Sequence, residues 1–141
     1  MLLTGFTGIQ HLPAQNNLEI KKAFERYGNK KGVVMVELTG EMLEDYDFSL
    51  FKSLMIREHP EAADYIRKRL AIDEVGAKKV KQVVSNGTPT SIYLQLPPQR
   101  KLHRLILFNE TSNPEYLVTL IYIETEHDAE DVLKLILKKN K

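Results

Sequence analysis

Two segments, residues 102–108 and 116–124, are apolar at consecutive positions, so that as strands they would be apolar on both faces. A strand of that kind needs cover from two sides, which places both in the centre of a sheet. The strongest turn signal lies just upstream at Asn86-Gly87, because both positions of a tight hairpin turn need a positive φ that Asn and Gly tolerate. Residues 80–85 precede it. In residues 91–96, Ile92, Leu94 and Leu96 alternate with Ser91, Tyr93 and Gln95, the pattern of a half-buried strand ending at Pro97-Pro98. The β-branched run 33–38 and residues 52–56 supply two more strands.

Three segments carry the helical period instead. Ile20, Ala23, Phe24 and Tyr27 form one stripe in residues 17–27, with Asn16 or Asn17 as cap and Gly28 as a left-handed stop. A second helix starts at Pro60 and runs to about Ile72 through Ala63, Ile66 and Leu70. The third starts near Asp128 and carries Ala129, Val132, Leu133, Ile136 and Leu137, with Lys138 and Lys139 at its negative end. Residues 40–46 read as a short helical turn. Consecutive strands with short connections imply an α+β fold: a two-layer sandwich of a mainly antiparallel sheet of five to six strands and about three helices, largely on one face. Residues 16–141 form one domain. Residues 1–15 are a signal-peptide remnant or an N-terminal arm, since Leu2, Leu3, Phe6 and Ile9 are apolar and Leu12-Pro13-Ala14 precede Gln15 like a cleavage site.

Composition removes whole classes of chemistry. The absence of cysteine excludes disulfide scaffolds, thiolate metal sites and Cys nucleophiles. Twenty Lys and Arg against 19 Asp and Glu give a net charge of +1, which excludes binding driven by a large positive excess. The apolar runs are far shorter than the roughly 20 residues of a transmembrane helix.

The densest set of potential metal ligands is ETEHDAED, where Glu124, Glu126 and His127 suit a hard or borderline divalent ion. The same acids equally suit the start of the last helix, with Asp128 as its cap. His59 beside Glu58 and His103 beside Arg104 lack any accompanying nucleophile motif, and read as surface residues. Three basic clusters (Arg67, Lys68, Arg69; Lys78, Lys79, Lys81; Arg100, Lys101, Arg104) lack interleaved aromatic platforms other than Tyr93, so nucleic acid is not an expected partner. Gly28 and Gly32 precede a strand, the reverse of a phosphate loop. No cofactor motif is present. If the helices cover the face of Leu105, Leu107, Ile121 and Ile123, the reverse face presents Tyr93, Ile106, Phe108, Val118, Leu120 and Tyr122. Either a helix or the N-terminal arm covers that face, or it is a ligand groove or an interface, and as an interface it favours a homodimer, sheet against sheet.

The ordered segments LFKSLMI, LPP followed by RLILF, TLIYIE and EDVLKLI, spread over residues 17–137, resemble a family of small exported proteins of Bacteroides and relatives, a numbered domain of unknown function. That resemblance implies export through a signal peptide ending in Ala-Gln, as at Ala14-Gln15. It brings no catalytic residues. The expected function is therefore a non-catalytic exported domain, periplasmic or in the cell envelope, that binds a protein, an envelope component or a small ligand through sheet surface. The alternatives are a cytoplasmic location and a small metal-dependent hydrolase built on Glu124, Glu126 and His127.

Overall fold

The computed structural model describes residues 18–39 and 48–139, with side chains of the last helix through Lys134. The expectations for residues 1–15, for the caps Asn16 and Asn17 and for the turn at 40–46 lie outside the described residues. Six strands, β1 (Val33–Thr39), β2 (Phe48–Ile56), β3 (Lys79–Ser85), β4 (Thr88–Gln99), β5 (Leu102–Thr111) and β6 (Leu117–Thr125), form one sheet in the order β1-β2-β6-β5-β4-β3. Every neighbouring pair is antiparallel. The two doubly apolar segments take the two central positions, as their pattern requires.

Asn86 and Gly87, at φ 52° and 80°, turn β3 into β4 with Ser85 opposite Thr88. A second tight turn is not announced by composition: Arg100 and Lys101, at φ 51° and 72°, join Gln99 to Leu102. Each non-glycine residue in that region costs about 1 kcal/mol. The strand expected to stop at Pro97-Pro98 continues past both prolines. The β4–β5 ladder skips them, passing from Leu96↔Arg104 to Gln99↔Leu102, so no ladder donor is asked of a residue without an N–H.

Helices α1 (Ile20–Tyr27) and α2 (Ala62–Asp73) pack on one face of the sheet, and α3 (Ala129–Lys139) packs on the other. Ile20, Phe24, Tyr27, Ile66 and Leu70 meet Leu54, Leu94, Ile106, Phe108, Leu120 and Tyr122 in the larger core. Ala129, Val132 and Leu133 meet Phe48, Tyr93, Leu105 and Ile123 in the smaller one. Asp73 satisfies the start of α1 from a distance in sequence, its two carboxylate oxygens accepting the N–H groups of Glu19 (2.7 Å) and Ile20 (3.0 Å). Gly28 is right-handed, at φ −58°, rather than left-handed. It serves by close approach, since a Cβ there would lie 2.6 Å from the Phe24 carbonyl oxygen and 2.8 Å from Met35 Sδ. The left-handed position is Gly32, at φ +77°.

Candidate functional site

The residues grouped by sequence as one reverse-face patch separate into two environments. Phe108, Val118, Leu120 and Tyr122 are buried beneath α1 and α2 in the larger core, so they present no outer surface. This corrects the expectation of a sheet-against-sheet contact at these positions: two helices already occupy that face. Tyr93 belongs to the opposite face, because register places it across from Leu107 while Leu94 lies across from Ile106. Its hydroxyl is buried without a hydrogen-bond partner, and burial, with Glu130 and Asp128 nearby, pushes its pKa up to about 12.

The proposed metal ligands also part company. Glu124 is buried, accepting the Tyr122 hydroxyl at 2.7 Å, whereas Glu126 and His127 are exposed. Among the described residues, no three His, Asp or Glu side chains converge as a metal set. Asp128 is spent as a helix cap, its Oδ1 accepting the N–H groups of Glu130 (2.8 Å) and Asp131 (3.4 Å).

Structure brings together residues that sequence had placed in different groups. Arg104 lies opposite Glu124 in register, its Nε donates to the Pro97 carbonyl at 3.0 Å, and Tyr122 stands two positions before Glu124 on the same side of β6. Burial, then the charge of Glu124, drives the Tyr122 hydroxyl far above its ordinary pKa. Beside this group an open concavity of about 330 Å³ is lined by Leu18, Glu19, Ile72, Asp73, Gly76, Leu96, Pro97 and Arg104. Both oxygens of Asp73 hold α1, and burial raises its carboxyl pKa. The polar side chains of the concavity are thus engaged in holding the fold, Asp73 tying the end of α2 to the start of α1 and Arg104 tying β5 to β4. Asp73 carried no signal in the sequence, since a cap 53 residues away in the chain leaves no local pattern.

His59 is likewise structural: Nε2 contacts the Lys31 carbonyl at 2.8 Å, and Nδ1 lies 3.8 Å from a Glu61 oxygen that also accepts the Tyr27 hydroxyl. His103 Nδ1 is buried without a hydrogen-bond partner. The basic clusters do not merge into one surface. Arg67 bonds Glu110 and Asp64, Lys79 and Lys81 approach Glu130 of α3, and Arg104 is buried.

The feature that remains is strand β3, the outer strand of the sheet. All seven of its residues are exposed, including Val80 (40%), Val83 (61%) and Val84 (55%). The opposite edge differs: β1 exposes Val34 and Met35 but packs Val33 against the larger core and Leu38 against the smaller one. β3 gives neither core a residue. It is held by the ladder to β4, by Lys79 and Lys81 against Glu130, and by Gln82 Nε2 donating to Glu74 at 3.5 Å. An outer strand leaves alternate backbone N–H and C=O groups free to pair with another strand.

Residues 8–136 match a family model described as "Family of unknown function (DUF6108)", and the chain belongs to that family. No curated protein matches the chain. Among the described residues, no helix is long and apolar enough to cross a membrane.

Proposed function

We propose that this chain, whose family carries no assigned activity, is a non-catalytic binding domain that takes a strand of a protein partner onto the free edge of β3. The observation that carries this reading is an outer strand with every side chain exposed and valines on both of its faces. Exposed apolar edge strands are ordinarily blunted or covered, and strand addition covers the side chains while pairing the backbone. Lys79 and Lys81 restrict the edge without closing it, because both lean toward Glu130 on one face. The domain works outside the cytoplasm, in the periplasm or cell envelope. Support for that location is the apolar start with Ala14-Gln15 and the likeness to exported Bacteroides-type proteins.

A photo-crosslinking residue at Gln82, introduced in the native host, tests edge and compartment together. The expected result is an adduct in the envelope fraction from position 82 and none from Lys22, an exposed residue of α1. Equal labelling at both positions, or none at 82, would overturn the binding reading. An adduct confined to the cytosol would overturn the location.

A further inference from the structure

We infer that the strand received by β3 is β3 of a second copy of this chain, antiparallel, about a two-fold axis at Gln82. This rests on the edge-binding reading above and names its partner. In antiparallel pairing of identical strands the axis passes midway between two copies of one residue, so each choice of residue fixes every pair. An axis at Gln82 sets Val80 against Val84, Lys81 against Val83 and Lys79 against Ser85.

The alternatives are worse on charge or on coverage. An axis at Lys81 opposes Lys81 to itself, and an axis at Val80 opposes Lys79 to Lys81, each a directly facing like-charge pair. An axis at Val83 moves Val80 across from Asn86, inside the turn, and leaves it without an apolar neighbour. Parallel in-register pairing stacks Lys79 on Lys79 and Lys81 on Lys81. Only the Gln82 axis, among these, keeps all seven residues of β3 opposite β3 and separates every lysine from every other.

The same register gives each exposed valine a partner on the correct face. Val80 and Gln82 pair with Leu94 and Ile92 of β4, on the side of α2, and Val84 returns to that side by alternation along β3, because the extra residue of the register shift after Val83, Thr90, lies on β4. Two Val80–Val84 pairs therefore flank the axis on that side. On the α3 side the stem of Lys81 lies across Val83, while Glu130 takes its ammonium group. Contacts of this size belong to the weak class of interfaces, so the association is read from a concentration series.

The test is sedimentation of the full chain with two double variants at exposed positions. Val80→Lys with Val84→Lys opposes lysine to lysine twice and is expected to weaken dimerisation at least about tenfold. Val80→Lys with Val84→Glu opposes lysine to glutamate twice and is expected to stay within about threefold of the unmodified chain. Both should keep the parent circular dichroism spectrum. An unmodified chain that stays monomeric up to its solubility limit, or two variants that lose association equally, would overturn the second-copy assignment. The mass of the Gln82 photo-adduct separates the two proposals. Twice the chain mass supports both, another mass retains the edge but overturns the self-pairing, and no adduct overturns both.

Discussion

Strands β6 and β3 are both rich in aliphatic residues, yet Val118, Leu120, Tyr122 and Ile123 of β6 are fully buried whereas every residue of β3 is exposed. The difference lies in position. β6 has β2 on one side, β5 on the other, α1 and α2 above and α3 below, while among the described residues β3 has β4 as its one strand neighbour and meets Glu130 and Glu74 only through polar side chains. An apolar side chain on β6 therefore contributes transfer energy and close packing, and the same side chain on β3 contributes little more than its place in the ladder. Valine content is therefore no guide to whether a strand serves stability or recognition; sheet order is.

The sharpest way to break this contrast is to charge the central strand. Val118→Glu with Leu120→Lys buries two charged groups on one face of β6, and thermal unfolding by circular dichroism should show no cooperative transition, because taking two ions out of water rivals the roughly 5–15 kcal/mol that hold a domain of this size. A folded variant would mean that the α1–α2 layer can lift from the sheet.

Alkaline titration gives an intermediate effect. Burial raises the Tyr93 pKa to about 12, and burial together with Glu110 does the same for Tyr116. A phenol whose folded pKa lies above its unfolded value of 10 stabilises the fold fully below pH 10, and that contribution disappears as pH climbs through about 12. Phenolate absorbance should accordingly rise together with loss of the fold over that window, and Tyr93→Phe should remove part of the pH dependence. If Tyr93 instead ionises near pH 10 in a folded chain, then β4 frays along with β3, and the boundary between core and edge sits one strand further in.

The smallest effect belongs to the edge itself. Val83→Thr should change the unfolding free energy of the monomer by less than about 0.5 kcal/mol in urea denaturation, since that residue is already 61% exposed. A larger loss would show that β3 carries stability of its own.

Much of this arrangement was legible in the chain because it is local. Asn86-Gly87 announces its hairpin, the alternation in 91–96 places Ile92 and Leu94 on one face, and the stripes of α1 and α3 mark their buried sides. What escaped depends on pairing between distant segments. Tyr93 was grouped with Phe108 because alternation within a strand does not say which face of the neighbouring strand it joins; only the register to Leu107 does. The division of helices between the two faces is equally nonlocal, and it turned an apparent surface patch into core. The exposed edge was hidden for a related reason. Residues 79–85 look like any sheet strand until the order of strands places them last.

That order also has a consequence in time. β3, β4, β5 and β6 join through successive hairpins, and β1 pairs with β2, but β2 meets β6 only by bringing together residues more than sixty positions apart, as in Ile56↔Val118. Neighbouring hairpins close in microseconds, whereas distant contacts wait on a costly chain closure. Until that seam forms, β6 is itself an outer strand, apolar on both faces and far stickier than β3. The best-protected strand of the finished protein is thus the one most exposed to wrong partners during folding, and conditions that slow the closing of the β2–β6 seam favour aggregation through β6.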